Sequence, residues 1–330
     1  MINNIGIVGL GSIGRRHLQL VKELRPELNI IAVRSGMGKR VEEEKLISAV
    51  VHSLDEAMEY GIEAAIIATP AVYHIQQAIE FMKRGIHLLI EKPLSHSLDD
   101  VNELFKMQKK SKSVCLVGYC LHYSLGALKF NDMLKNKNKI GQILHVQVDC
   151  GSYLPDWRQG QDYRKSVSAK AELGGGVLLE LSHELDYIRW FFGEMKSVSA
   201  NIQNSGTLDI DVEDSVDMIF ESEQGYSVSV HLDFNTRNTR RKCTARCSNG
   251  NLTWDAVENK VIWQPADVIE EVESYQNDRN YVYKEQLKHF FSCIEKGEQP
   301  SVSIHDGAII LNMIEFAKKS HKIGKKVAIA

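Results

Sequence analysis

The sequence predicts an α/β protein: an N-terminal doubly wound parallel sheet followed by an α+β domain on an antiparallel sheet. Three observations carry this. Short, continuously apolar runs alternate with helix-period segments up to about Tyr123. A glycine-rich turn, Gly9-Leu-Gly11-Ser-Ile-Gly14, joins the first run to a helix. Beyond Tyr123 strands of period 2 follow one another with little helix between them, as in Tyr226-Ser-Val-Ser-Val-His-Leu-Asp233.

The elements are expected in this order. Ile5 to Leu10 is a buried strand, followed by a helix over about Arg15 to Leu24. Asn29 to Val33, Ala64 to Ala68, His87 to Ile90 and Val114 to Gly118 are further strands. Helices over about Val72 to Arg84 and Leu98 to Lys110 separate the later ones. Continuous apolar strands alternating with helices mean a parallel sheet covered on both faces. A helix over Leu125 to Leu134 then leads to a half-alternating strand, Ile143 to Asp149. A polar and aromatic loop covers Gly151 to Lys170, and one helix is expected from about Gly175 to Phe192, with Trp190, Phe191 and Phe192 in the core. Six strands follow between Val198 and Gln264, and helices over about Tyr281 to Lys296 and His305 to His321 end the chain. The expected domains are 1–123 and 124–330.

Composition narrows the function classes. Of 330 residues, 43% are hydrophobic and 25% charged, enough to bury a sizeable core. The formal net charge of −3 gives no electrostatic footprint for nucleic acid or a membrane surface. The one basic cluster, Arg237 to Lys242, lies among strands and reads as a solvated edge. Six scattered cysteines form no CxxC pair and no zinc pattern, so no metal is expected and free thiols in a reducing compartment are. No run approaches a membrane span, and the first strand begins too early for a secretory leader. A cytoplasmic protein is expected.

The glycine turn has a ligand chemistry. After a buried strand and before a helix, Gly9 permits the tight turn, Gly11 lets backbone approach a pyrophosphate, and Gly14 lets helix and strand pack closely. The N–H groups at the helix start, around Ser12 and Ile13, then face the phosphates. An NAD site usually has Asp or Glu about twenty residues on, against the ribose 2′-hydroxyl. Here that position is Arg34, followed by Ser35, and no acid stands at the strand end. Arg34 and Ser35, with Lys39 or Arg40 adding charge, favour a 2′-phosphate. NADP is therefore expected over NAD; stacking of Arg34 on adenine, with both cofactors used, is the alternative.

Further motifs follow in order: Ala68-Thr69-Pro70 with His74, Glu91-Lys92-Pro93, Val117-Gly118-Tyr119, Gly174-Gly-Gly-Val-Leu-Leu-Glu180 with His183 and Asp186, and Pro300 with Asp306-Gly307. With the glycine turn they make the chain resemble, over nearly its whole length, the Gfo/Idh/MocA family of sugar and polyol oxidoreductases. The resemblance implies a Rossmann domain, then a domain on a large, open, mostly antiparallel sheet. It implies cofactor contacts from Thr69, Pro70, His74 and Glu91. It places Lys92 at the active centre and His183 beside the substrate. Two departures stand out. The family's usual acid lies four residues before that histidine, whereas Glu180 lies three before it. Many relatives carry Asn and Arg at the positions of Cys120 and His122.

Oxidising a secondary alcohol needs a base within hydrogen-bond reach of the hydroxyl while hydride leaves carbon. Lys92 and His183 are the candidates, Lys92 as base or, in the reverse direction, as acid, and His183 as base or relay. Asp186 reads as a supporting acid or a helix-surface one. Substrate contacts are expected from Tyr119, His122 and Glu180, and from Trp157, Arg158, Tyr163 and Arg164 in the polar aromatic loop. That loop offers flat apolar faces with bidentate donors, or else packs at a subunit interface. The expected function is hydride transfer between a nicotinamide and a hydroxyl or keto group of a sugar or nucleotide-sugar-like substrate. The SHELDY wording and the loop resemble a branch associated with bacterial surface-sugar biosynthesis. A glycosidase-like enzyme using transient oxidation, and a non-catalytic cofactor-binding regulator, are the alternatives. An open sheet face implies a homo-oligomer, dimer or tetramer.

Overall fold

The computed structural model describes residues 2–36, 42–158, 160–266, 268–276 and 278–329. The chain divides into two compact units, residues 1–120 with 280–311, and 121–279 with 312–330. The return of residues 280–311 to the first unit is not part of a boundary at 123 and 124.

The first unit holds β1 (Asn4–Val8), α1 (Ser12–Leu24), β2 (Asn29–Val33), β3 (Ala49–Val51), α2 (Leu54–Glu59), β4 (Ala64–Ile67), α3 (His74–Met82), β5 (His87–Ile90), α4 (Val101–Ser111) and β6 (Cys115–Val117). The strands pair in the order β3-β2-β1-β4-β5-β6, all parallel. This is the doubly wound order, whose direction reverses between β1 and β4. Ile5, Ile7, Ile30, Ala64, Ile66, Leu89 and Leu116 are buried because helices cover both faces, which is why these strands are apolar without alternation. β3 and α2 fall in a stretch where the sequence suggested no element.

The second unit holds α5 (Leu125–Lys135), α6 (Lys137–Ile140), β7 (Ile143–Gly151), α7 (Val177–Glu180), α8 (His183–Phe192), β8 (Met195–Gln203), β9 (Ser215–Ser222), β10 (Ser227–Asp233), β11 (Arg240–Cys247), β12 (Gly250–Asp255), β13 (Lys260–Pro265) and β14 (Glu271–Ser274). After it come α9 (Tyr281–Lys296), α10 (Ile304–Ile323) and β15 (Val327–Ala328). α9 belongs to the first unit, where Leu287, Phe290 and Phe291 join the core around Leu18 and Val21 of α1. Lys284 pairs with Glu23 at 2.7 Å, and Arg25 pairs with Glu295.

The second sheet runs β14-β13-β12-β11-β7-β10-β9-β8-β15. It is antiparallel except where β7 and β10 pair in parallel. Its strands alternate. Val146, Val148, Phe220, Val230, Ala245 and Trp254 are buried, whereas Leu144, Gln147, Ile219 and Arg246 are exposed. Tyr187 and Phe191 of α8 stand edge-on to Trp254, at 5.2 and 5.9 Å between ring centroids. The helix expected over 175–192 is two helices, broken at Leu181-Ser182. Gly176 enters α7 at φ +105°, with Glu213 filling the space a side chain would need.

His231 on β10 lies between two carboxylates, with Nδ1 2.7 Å from Asp217 and Nε2 3.2 Å from Asp233. The hydrogen bond to Asp233, and then that to Asp217, push its pKa up to about 9 against the effect of burial. The charged pair therefore contributes stability that is complete below the unfolded histidine pKa, about 6.5. That contribution is lost as pH rises through about 9. An NMR titration should place His231 near that value, and Asp217→Asn should lower it by about 1. An ordinary histidine midpoint in the unsubstituted chain would contradict the geometry.

Candidate functional site

In the first unit the expected cofactor residues gather at the carboxyl ends of β1, β4 and β5. Gly9 has φ +89°, and an added Cβ would lie 2.9 Å from the Ala68 carbonyl oxygen. A Cβ on Gly14 would lie 1.9 Å from the Gly9 carbonyl oxygen, so only glycine lets α1 start this close to β1. A Cβ on Gly11 would meet nothing within 4 Å. α1 has no side-chain N-cap and no acid in its first turn, so its leading N–H groups, with Ser12 and Ile13, are left for an anion. This cradle fits a dinucleotide pyrophosphate: backbone donors, a helix start, and clear space over Gly11.

The turns beside it are fastened by buried polar groups. His74, 1% exposed, has Nε2 2.8 Å from the Thr69 carbonyl and Nδ1 3.0 Å from the Pro93 carbonyl. Burial lowers its pKa against the pull of those two carbonyls. The neutral ring that burial favours has one N–H, so it donates to one of the two carbonyls while lying between the Thr69-Pro70 turn and the turn that carries Lys92. Thr69 itself donates its hydroxyl to Gln77 at 2.7 Å. Glu91 is buried, with Oε1 2.6 Å from His17 Nε2. Its Oε2 accepts the Lys92 backbone N–H at 3.3 Å. Lys92 is half-buried. Arg34 is ion-paired with Glu44, Ser35 is exposed, and Lys39 and Arg40 lie outside the described residues. Tyr119 is fully buried in this unit.

In the second unit α8 opens on His183, 8% exposed. Asp186, one turn on, is 4% exposed and lies 3.0 Å from His122 Nε2. The His122 ring stacks on Trp190 at 4.1 Å between centroids. Asp186 is thus a buried partner of His122, not a helix-surface acid. Glu180, across the helix break, accepts from Ser168 at 2.9 Å. Glu184, fully buried, accepts from Arg241 Nε at 2.8 Å and ties α8 to β11. Burial opposes the Arg241 charge, but Glu184 holds its pKa well above the ordinary value.

The loop residues are placed differently from one another. Trp157 donates its indole N–H to Ser152 at 2.7 Å and stands edge-on to Phe234. Arg164 makes a bidentate pair with Asp162 at 2.8 and 3.0 Å and lies 3.6 Å from Asp209. The Tyr163 hydroxyl accepts the Asp209 backbone N–H at 3.5 Å. Arg158 is exposed. The charge of Arg164 is matched within its own loop, which leaves Arg158 as the more open cation of the two.

Comparison with known proteins decides the family. Residues 3–119 match the family described as oxidoreductase, NAD-binding Rossmann fold, and residues 132–253 match the GFO/IDH/MocA C-terminal domain. The chain belongs to the Gfo/Idh/MocA family. It is an NAD(P)-dependent oxidoreductase. It is 25% identical to 4-carboxy-2-hydroxymuconate-6-semialdehyde dehydrogenase of Sphingobium, over 91% of this chain and 93% of that one. To 1,5-anhydro-D-fructose reductase of Ensifer adhaerens it is 23% identical, over 93% and 92%. Among solved structures, the WlbA dehydrogenase of Bordetella pertussis, in complex with NADH and UDP-GlcNAcA, has the same fold. Its TM-score is 0.83 at 20% identity, covering 99% of this chain and 98% of that one. Among the described residues no helix is long and apolar enough to cross a membrane.

The sequence reading passed over His17. A signal was available: His17 stands with Leu18 and Val21 on the buried stripe of α1, where a histidine needs a partner. His17→Leu would leave the Glu91 carboxylate buried without its donor, lowering the unfolding free energy by about 3 kcal/mol. His17→Gln retains a donor and should lose less than half of that. Chemical denaturation of the full chain measures both, and a leucine variant as stable as the parent would contradict the pairing.

Proposed function

We propose that this family member transfers hydride between a nicotinamide and a secondary hydroxyl or keto group of a sugar or nucleotide-sugar-like substrate. The observation that carries the reading is the Gly9–Gly14 cradle beside the turn of Glu91 and Lys92. Both lie at the strand ends where a doubly wound sheet binds its ligand. The anhydro-sugar reductase and the dehydrogenase bound to a nucleotide sugar support the substrate class.

When bound, the nicotinamide accepts or gives the hydride. The chain's own groups do the rest. The first-turn N–H groups of α1 hold the pyrophosphate. Lys92 accepts the substrate hydroxyl proton or returns it to the carbonyl oxygen. His183 is the second group assigned to proton transfer, and Asp186 orients His122 for a substrate contact through the ring edge that Asp186 does not use. Tyr119, Trp157, Arg158, Tyr163, Arg164 and Glu180 remain proposed contacts; Arg164 would have to exchange its partner in the loop. Arg34 and Ser35, with Lys39 or Arg40 adding charge, favour NADP, and the ion pair of Arg34 with Glu44 weighs against that choice.

The exposed outer face of the second sheet, with Leu144, Gln147 and Ile219, is proposed to pair with another copy of the chain. Among the described residues the six cysteines form no disulfide, which suits the cytoplasm.

The direct test is a screen of sugars and nucleotide sugars for change in nicotinamide absorbance, with NAD and NADP separately. Lys92→Met should cut kcat about 10²- to 10⁴-fold while nucleotide binding persists. No signal with any substrate, despite tight nucleotide binding, would overturn the reading. Light scattering should give a mass of two or four chains, and Ile219→Glu should lower it; a monomer at micromolar concentration would remove the oligomer.

A further inference from the structure

The strand register of the second sheet lines up two rows of different character on its outer face. In the first row Asp217 of β9 stands opposite His231 of β10, His231 opposite Asp149 of β7, and Asp149 opposite Lys242 of β11. Lys242 in turn stands opposite Asp255 of β12, and Asp255 opposite Lys260 of β13. The signs alternate without a break, since His231 is held charged by Asp217 and Asp233. Two residues along the strands, the second row reads Ile219, Ser229, Gln147, Thr244, Thr253 and Ile262 in the same strand order. It carries no charge, and Ile219 is 55% exposed. Asp217, Lys242 and Gln147 are exposed too. Alternating signs alone are ordinary cross-strand pairing, as between Lys242 and Asp255 at 2.8 Å. Pairing within one chain does not call for the second pattern: both rows are self-complementary about the line between β7 and β11.

We propose that a second copy of this chain docks on this face across a two-fold axis parallel to the strands, between β7 and β11. This rests on the reading of the outer face as the contact between copies, and adds its orientation. Rotation about that axis keeps each row at its own level and reverses its order. Asp149 of each copy then meets Lys242 of the other, and Asp217 meets Lys260. His231 comes over Asp255, which Lys242 already engages. In the uncharged row Ile219 lies on Ile262, Ser229 on Thr253 and Gln147 on Thr244. Charge thus meets opposite charge, apolar meets apolar, and hydrogen-bonding groups meet their like, as an isologous contact requires. A two-fold along the charged row would instead set Asp149 on Asp149 and Lys242 on Lys242, which is repulsive. Stacked sheets cross at about 30°, so the pairs nearest the axis, Asp149 with Lys242 and Gln147 with Thr244, keep their match best. The six strands from β9 to β13 in sheet order offer a flat area of about 600 Å², the low end of what a stable dimer buries per partner.

Two charge-reversed chains test the orientation by complementation. Lys242→Glu sets acid on acid at both symmetric contacts, and Asp149→Lys sets cation on cation. Each variant alone should self-associate at least about tenfold more weakly than the unsubstituted chain, with its mass by light scattering falling by half. Mixed one to one, the two variants restore opposite charges at both contacts, and native mass spectrometry should show the mixed assembly in excess over either alone. A purely local role for Lys242 or Asp149 would give no such restoration. A second measure is independent of charge. A chain with Ile219→Cys should cross-link on oxidation to a chain with Ile262→Cys, and neither to itself; the native cysteines are all buried. If the unsubstituted chain is a monomer, the reading of this face as a contact fails, and its orientation with it. If the chain associates but complementation or the mixed cross-link fails, the copies meet in another orientation and the proposed axis is wrong.

Discussion

One close approach of backbone to backbone governs the first unit. The start of α1 lies against the end of β1 so tightly that a methyl on Gly14 would meet the Gly9 carbonyl oxygen at 1.9 Å. A methyl on Gly9 would in turn press on the Ala68 carbonyl at the end of β4. Because neither position carries a side chain, the helix start, with its uncapped N–H groups, stands at the point where strand order reverses. The proposed anion site follows from this packing and needs no charged side chain of its own.

Around that site, buried polar groups hold what the glycines leave open. His74 lies between the turn after β4 and the turn after β5 and donates to one of their two carbonyls, and His17 ties α1 to Glu91. Such groups are costly to bury unless they are satisfied, so each pair fixes one geometry. Gly118 lets the end of β6 lie against Glu91, where a Cβ would sit 3.1 Å from its carboxylate. Lys92 therefore extends from a turn whose neighbours on either side are constrained. In the second unit the Glu184–Arg241 pair does the comparable work for α8, which begins at His183.

Much of this was legible in the sequence because its signals are local. A short apolar run between turn residues marks a buried parallel strand, and His87–Ile90 and Gly250–Asp255 fall as read. The glycine cradle is legible for the same reason, since its constraint is steric and lies within six residues. What was not legible depends on partners distant in the chain. α9 is an ordinary amphipathic helix by pattern, and nothing in its residues says that Phe290 and Phe291 pack near α1. Glu44 lies in a stretch to which the sequence reading assigns no element, and only the fold brings it to Arg34. The break between Glu180 and His183 comes at Leu181-Ser182, neither of them a strong breaker, so helical periodicity ran straight through it. For Asp186 the sequence left a supporting acid and a helix-surface acid both open, and the fold decides by setting it against His122.

The central claim is that the strand ends of the first unit, from the glycine cradle to Lys92, form the cofactor site. A crystal structure of the chain grown with NADH tests it most directly. The account predicts the pyrophosphate on the backbone N–H groups that follow Gly11, clear of any acidic side chain, with the nicotinamide end of the molecule toward Glu91 and Lys92. Nucleotide density elsewhere on the chain, with the space over Gly11 filled only by water, would contradict it.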